Sequence, residues 1–293
     1  MIRDHLKLQI IVILWGFTAV LGELISLSAT NLVAWRCGIA GLCLLIWLRK
    51  RIAVPPRQAL LFLATGFVIG AHWITFFLSV KIAKVSICMI GVATLALWTA
   101  ILEPLLLRNR RFRIIDLFFG SLTVVGVVII YISELEYSHG LFVAIFSAFL
   151  AAAFSVINAF HIKHAAHTVI VFYEMVGATF FAAVAAVIMN GHLSLPADSS
   201  DWLWILVLTL FCTVVSFSQY VQLLERMSVF TLNFVANLEP VYGITLAAII
   251  LQEHKNLNSG FYLGATVIIG TIVAYPLVRR RLSRKTPPDQ LMH

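Results

Sequence analysis

The chain has 293 residues, of which 61% are hydrophobic and only 12% are charged, and its mean hydropathy is +0.98. Because soluble domains carry about one quarter charged residues, this composition excludes a soluble globular protein. The net charge of +8 comes from short basic clusters between apolar runs, which argues against nucleic acid as a partner and is typical of membrane topology signals. The four cysteines lie within apolar runs and show no C-x-x-C spacing, so they predict no metal site.

In chain order, ten apolar runs are each long enough to cross a membrane core of ~30 Å at about 1.5 Å per residue. They lie near 7–27, 30–48, 58–80, 84–107, 113–132, 138–160, 168–189, 202–223, 228–251 and 257–278. Short polar breaks such as Arg49-Lys50-Arg51 separate them. The sequence therefore predicts an all-α polytopic membrane protein whose surroundings are the lipid bilayer.

Lysine and arginine are distributed unevenly between alternate connecting segments. If the N-terminus is cytoplasmic, 17 of these 21 residues fall on cytoplasmic segments and three, Lys81, Lys84 and Lys255, on outer ones. Arg36 lies within a helix. Because basic residues are enriched in cytoplasmic loops, both termini are predicted to lie in the cytoplasm.

Glycines in two of the predicted helices suggest an internal repeat. Gly120 and Gly126 of helix 5 recur as Gly264 and Gly270 of helix 10, at a shift of 144 residues. The same shift, applied without a gap, aligns the sequence of helix 4 with that of helix 9. We therefore expect two repeats of five helices, and because five is odd the second repeat must be inverted in the membrane. Inverted repeats are typical of secondary transporters, whose sites lie near the bilayer midplane between the repeats.

The predicted repeats span residues 1–135 and 136–285. The remaining segment, 286–293, contains consecutive prolines and is expected to form a disordered cytoplasmic tail.

The tripeptide Leu-Glu-Pro occurs in helix 4, with Glu103, and in helix 9, with Glu239. The 144-residue register does not align the two. It places Glu239 halfway along helix 9 and Glu103 near the cytoplasmic end of helix 4. A carboxylate at mid-membrane fits a proton carrier or a contact for a substrate amine; alternatively, it is a structural group that stabilises the bend at Pro240. Asn237 lies on the same helix, either in the site or as a polar contact between helices.

Four polar residues suggest gates at the two faces of the membrane. Glu23 and Arg36 lie near the outer side, and at a shift of 138 their counterparts are His161 and Glu174 near the inner side. Each pair is a candidate gate; the alternative is two static ion pairs that orient neighbouring helices.

Aromatic and polar side chains near the predicted midplane suggest a binding pocket. Apolar walls with a few polar groups are common in small-molecule sites, although packing against lipid or other helices also explains single aromatic residues. With Glu239 and Asn237, the candidate substrate contacts are Trp15, His72, Trp73, Trp98, Tyr220 and Tyr242.

Several short motifs together resemble a known family. The ten-helix pattern, Trp15-Gly16, Arg36, Leu238-Glu239-Pro240 and Glu253 are similar to the EamA-like carriers of the drug/metabolite transporter superfamily. The resemblance covers nearly the whole chain. It implies a carrier of small metabolites, often an exporter of amino acids, in a bacterial inner membrane. It also implies a central cavity lined by helices 1, 3, 4, 6, 8 and 9.

The sequence thus predicts a secondary transporter for a small-molecule substrate, with protons as a candidate coupling ion through Glu239. An intramembrane enzyme acting on a lipid or acyl group is the alternative, and it would require an acid–base set such as His72 with Glu23. No nucleophile elbow, H-E-x-x-H motif or P-loop is present, so neither enzyme activity nor a cofactor is predicted. The sequence does not indicate substrate identity or oligomeric state.

Overall fold

The computed structural model describes residues 2–49, 51–107 and 110–285, and every regular element in these ranges is helical. We number the membrane helices α1 to α10. Their bounds are α1 Ile2–Leu24, α2 Ala29–Leu48, α3 Pro56–Ile82, α4 Val85–Leu106, α5 Ile114–Ser133, α6 Ser138–His161, α7 His167–Asn190, α8 Ser199–Leu223, α9 Val229–Leu251 and α10 Ser259–Lys285.

In the described part of the chain, α1 to α9 are long and apolar enough to cross a membrane, and α10 contains a shorter apolar stretch, Ser259–Tyr275. The predicted all-α polytopic fold is confirmed. Differences from the predicted bounds concern mainly the termini, where α1 begins earlier and α10 ends later than predicted. The predicted tail, 286–293, lies outside the described residues.

Local sequence signals explain several helix ends. Pro56 occupies the first turn of α3, where its missing N–H removes no helical hydrogen bond. Asp198 caps α8, because its side chain accepts a hydrogen bond from the Asp201 N–H at 2.9 Å. Gly191 ends α7 with a φ of +80°, in the left-handed region that favours glycine.

The helices pack as two related sets of five. α2 packs against α7, and α5 against α10. α1 packs against α8 and α9 in the same way as α6 packs against α3 and α4. Replacing each helix by its counterpart five places away leaves this packing pattern unchanged, as expected for two structural repeats.

Both α4 and α9 are interrupted near their middle, at residues 93–94 and 237–238. The two interruptions are 144 residues apart, and the side-chain amide of Asn237 donates to the Ala93 carbonyl oxygen at 3.2 Å. The predicted 144-residue register therefore holds for these two helices. In the structure, Glu239 directly follows the break in α9 and is the first residue of the next helical segment.

Helices α5 and α10 cross where two glycines meet. A Cβ atom on Gly126 would lie 2.8 Å from the Gly264 carbonyl oxygen, and a Cβ on Gly264 would lie 2.5 Å from the Gly126 carbonyl oxygen. The two backbones therefore approach so closely that neither position has room for a side chain. The contact between Gly126 and Gly264 does not test the predicted alignment of Gly120 with Gly264, because antiparallel helices contact each other at many different sequence separations.

Candidate functional site

A buried cavity of about 50 Å³ lies between the two repeats. Helices α1, α3, α4, α6, α8 and α9, which the family resemblance implies, all contribute to its wall, and α2 contributes Arg36 as well. The lining residues are Trp15, Thr18, Arg36, His72, Trp73, Phe76, Val92, Leu95, Ala151, Phe154, Ser155, Phe217, Tyr220, Asn233 and Glu239.

Arg36 is the most deeply buried charged group of the wall, with 1% of its surface exposed. Its Nε donates to Thr213 Oγ1 at 2.6 Å, and its Nη2 donates to the Cys212 carbonyl oxygen at 3.4 Å. The guanidinium carbon lies 4.1 Å from the ring centroid of Trp73. Within the described residues Nη1 has no hydrogen-bond partner. One face of the cation is thus covered by an aromatic ring, and one donor is unused.

A local irregularity in α8 supplies the two acceptors of Arg36. The segment Leu210–Val215 is π-helical. Such segments leave the regular α-helical hydrogen-bond pattern and occur often at functional sites. Cys212 and Thr213 both belong to it, and Arg36 donates to the Cys212 carbonyl oxygen and to the Thr213 hydroxyl. Burial of a charge is tolerated when hydrogen bonds replace its hydration, and here the π-helical segment does this in part.

Glu239 is the acidic group of the same wall, and 7% of its surface is exposed. It is the first residue of the helical segment Glu239–Leu246, where the helix dipole favours a negative charge. Across residues 2–49, 51–107 and 110–285, no hydrogen bond or ion pair engages its carboxylate, and none joins it to Arg36. The cavity wall therefore contains a guanidinium group and a carboxyl group that make no direct contact with each other.

Hydrogen bonds between side chains hold other polar groups of the wall in place. The Tyr220 hydroxyl donates to Asn233 Oδ1 at 2.6 Å, and Asn233 Nδ2 donates to Thr99 Oγ1 at 2.9 Å. Trp15 Nε1 donates to Ser216 Oγ at 3.1 Å. The wall is therefore a fixed arrangement of aromatic surface and oriented polar atoms, as in many small-molecule sites.

Comparison with known proteins identifies the family. The sequence profile of the EamA-like transporter family matches residues 6–132 and, a second time, residues 138–275. The chain belongs to the EamA-like transporter family. This confirms the resemblance seen in the sequence and the assignment to the drug/metabolite transporter superfamily. It also identifies an integral, multi-pass membrane protein from a family of transporters.

A solved crystal structure, described only as that of a protein, shares the fold of this EamA-like transporter. Its TM-score is 0.72 over 96% of this chain and 98% of that chain, at 16% sequence identity. At that identity the similarity concerns the fold alone. No protein with a curated functional description matches the sequence.

Five of the eight predicted substrate contacts in this EamA-like transporter line the cavity. These five are Trp15, His72, Trp73, Tyr220 and Glu239. The remaining three, Asn237, Trp98 and Tyr242, lie outside the lining. Asn237 joins α9 to α4, Trp98 packs against Phe149 with ring centroids 5.3 Å apart, and the Tyr242 hydroxyl donates to Gln9 Oε1 at 3.4 Å. Substrate contact by any of the eight stays a prediction.

Sequence reasoning missed several members of the wall. Phe217 packs against both Trp73 and Phe154 in the wall. Its ring also stacks on that of Tyr220, with the ring centroids 6.3 Å apart. The i, i+3 spacing of Phe217 and Tyr220 was the one available signal, because such residues share a helix face. Arg36 was predicted as a gate residue and not as part of the cavity.

The two predicted gate pairs are not in contact in this structure. Glu23 is exposed at the end of α1, where Lys81 donates to its backbone carbonyl oxygen at 3.2 Å. His161 Nε2 is hydrogen-bonded to Thr65 Oγ1 at 2.8 Å. Glu174 is fully buried, and among the described residues it forms no ion pair with His161. A gating role for Glu23, Arg36, His161 and Glu174 stays a prediction.

Proposed function

We propose that this EamA-like transporter is a secondary-active carrier in a bacterial inner membrane. It exports a small metabolite, an amino acid or a related amphiphile, by alternating access. The observation that carries the proposal is the presence of Arg36 and Glu239 in one buried cavity without an ion pair between them. Buried charges are costly in a membrane unless a partner neutralises them, so an unpaired couple favours a ligand that carries both charges.

A zwitterion satisfies both groups at once. Its carboxylate would accept from the unused Nη1 of Arg36, since guanidinium groups suit carboxylates. Its ammonium group would face Glu239, and an apolar side chain would lie against Trp73, Phe154 and Phe217. The cavity of about 50 Å³ has room for only a few water molecules. Substrate entry therefore requires the helices to move, which supports alternating access.

Counterflow in proteoliposomes tests the proposal. Vesicles containing the purified full chain are loaded with one unlabelled amino acid and diluted into buffer with its radiolabelled form, and the set of amino acids is screened in turn. We expect transient accumulation of unaltered label in protein-containing vesicles only. Chromatography of the recovered label separates the candidates: a carrier leaves it unchanged, whereas an enzyme acting on lipid or acyl groups converts it.

An enzyme would also need acid–base groups that converge, and His72 with Glu23 was the candidate set. His72 belongs to the cavity wall, and its Nδ1 is hydrogen-bonded to the carbonyl and hydroxyl oxygens of Ser147 on α6. Glu23 lies exposed at the end of α1 and is not part of that wall. This separation favours the carrier over the enzyme.

Proton coupling through Glu239 is the second part of the proposal. In the Glu239→Gln variant, transport should lose its dependence on a transmembrane pH gradient, while counterflow without a gradient is retained at substrate concentrations above the raised apparent KM. Glu136→Gln is the matched control, because Glu136 is an exposed glutamate in the short segment before α6. Equal gradient dependence in wild-type protein and Glu239→Gln excludes Glu239 as the proton carrier.

A further inference from the structure

The N-terminus of α4 is capped by a carboxylate from another part of the chain. Glu253, in the turn after α9, accepts from the Val85 N–H and the Ser86 N–H, each at 2.9 Å, and from the Ser86 hydroxyl at 2.6 Å. Gln252 precedes it with a φ of +55°, a conformation uncommon outside glycine, which turns the chain back towards α4. The start of α4 and the end of α9 are thereby joined.

The N-terminus of α9 has a corresponding cap at the opposite end of the same helix pair. Glu103, near the end of α4, accepts from the Phe230 N–H at 2.9 Å. Arg110 Nε contacts its other oxygen at 3.3 Å. Glu103 is 5% exposed and Glu253 8% exposed. Each helix therefore supplies, at or just beyond its C-terminal end, the carboxylate that caps the N-terminus of the other.

The N–H groups that the two caps engage lie at equivalent places in the two repeats, whereas the capping glutamates, 150 residues apart, are six residues out of that register. The capped residues Ser86 and Phe230 are 144 residues apart, the same shift that relates the breaks in α4 and α9. The 18 residues from Val85 to Glu103 separate the caps by about 27 Å along the helix. The cavity lies between the two ends, next to the central breaks. One cap therefore closes each end of the helix pair.

We propose that these caps are two latches, the Glu253 latch and the Glu103 latch, and that alternating access opens one while the other stays closed. This inference rests on the proposed carrier function. Both latches are closed in this structure, in agreement with its small cavity. An opened latch exposes helix N–H groups and a carboxylate, which water then hydrates. Because water replaces the lost hydrogen bonds, the free-energy difference between a closed and an open latch is small, and the binding energy of a substrate is enough to shift the equilibrium between them.

The Glu103 latch is also linked to the cavity wall. Asn233 lies one turn after Phe230 in α9 and contacts Thr99 in α4 and Tyr220 in α8. A ligand that moves Tyr220 therefore acts on the helix turn that Glu103 caps. At the other end, Cys88 is one turn from Val85, and its Sγ contacts the carbonyl oxygen of the cavity residue Phe76 at 3.5 Å. Each latch thus has a path of direct contacts to the cavity.

Accessibility of a cavity cysteine from each side of the membrane tests the latches. The four native cysteines are replaced by alanine or serine, and Ala151→Cys places a thiol in the cavity wall. Right-side-out and inside-out vesicles are treated with a membrane-impermeant maleimide. Glutamine cannot replace all the charge-assisted bonds of a carboxylate. Glu253→Gln should therefore raise labelling about tenfold from one face, and Glu103→Gln about tenfold from the other.

A matched control has similar chemistry but joins α5 to α10. Glu134 Oε1 accepts from the Asn258 N–H at 2.6 Å. Glu134→Gln should leave labelling at the level of the parent. The proposal is overturned if both latch variants act on the same face, if neither changes labelling, or if the control produces the same change. If a glutamine variant fails to fold, labelling is measured in Glu253→Asp and Glu103→Asp instead. Their shorter side chains weaken the same contacts.

The labelling experiment needs no substrate, so its result is separable from that of counterflow. Opposite changes in labelling without any counterflow support the latches and contradict transport of the amino acids screened. Unchanged labelling beside normal counterflow contradicts the latches alone.

Discussion

The guanidinium carbon of Arg36 lies 4.1 Å from the ring centroid of Trp73, and both side chains belong to the wall of the central cavity. The ring covers one face of the cation, while Thr213 and the Cys212 carbonyl occupy two of its donors. The remaining donor group is left for an anionic ligand. This relationship makes Arg36 a component of the proposed substrate site.

Arg36→Lys should weaken substrate binding about tenfold or more even though the charge is kept. An ammonium group is a point charge, whereas guanidinium stacks on a ring and directs several donors along fixed lines. The apparent KM in counterflow measures the effect. Arg57→Lys at an exposed site is the control and should leave KM unchanged. An unchanged KM in Arg36→Lys would show that stacking on Trp73 does not contribute to binding.

Thr213→Val should destabilise the protein by about 1–3 kcal/mol, because Arg36 Nε would lose its 2.6 Å acceptor inside the membrane. The unfolding temperatures of the variant and the wild-type protein are compared by thermal unfolding in detergent, followed by tryptophan fluorescence. Thr266→Val is the control, since Thr266 is exposed on α10 and bonds only within its own helix. Equal destabilisation by the two substitutions would contradict a special role for the π-helical segment of α8.

Gly126→Ala should destabilise the crossing of α5 and α10 by about 1–3 kcal/mol, because the new methyl group would press on the Gly264 carbonyl and on Ile268. Gly270→Ala on α10 is the matched control. A Cβ there meets no atom within 4 Å, so the substitution should be neutral or stabilise the helix by about 0.5–1 kcal/mol. The difference between the two unfolding temperatures measures the effect, and a lower temperature for Gly270→Ala than for Gly126→Ala would contradict the crossing geometry.

Much of the fold could be predicted from the sequence, because a membrane helix needs a long apolar run and its ends need polar breaks. The ten spans are therefore visible in the sequence, and the register that places Glu239 after the break in α9 agrees with the structure. The crossing of α5 and α10 was less predictable. Four glycines offer several alignments, and only packing shows that Gly126 meets Gly264.

The composition of the cavity wall could not be predicted from the sequence, because the features that determine it leave no recognisable sequence pattern. Arg36, in the cavity wall, is hydrogen-bonded to Thr213 and Cys212 of a π-helical segment in α8, and hydrophobic periodicity does not reveal such a segment. The sequence also does not distinguish Trp73, which lines the cavity, from Trp98, which packs against Phe149 instead. The cap that Glu103 provides to Phe230 joins residues 127 positions apart, beyond the reach of any local motif.

The most direct test of the central claim is counterflow with Arg36→Gln and Glu239→Gln beside wild-type protein and an Arg57→Gln control. The account predicts that a zwitterionic amino acid accumulates transiently with wild-type protein and the control, and that Arg36→Gln raises its apparent KM at least about tenfold. For Glu239→Gln it predicts a KM raised in the same way for the zwitterion but not for an analogue that lacks the amino group. Wild-type KM values for both substrates in both variants would contradict recognition of the substrate by Arg36 and Glu239.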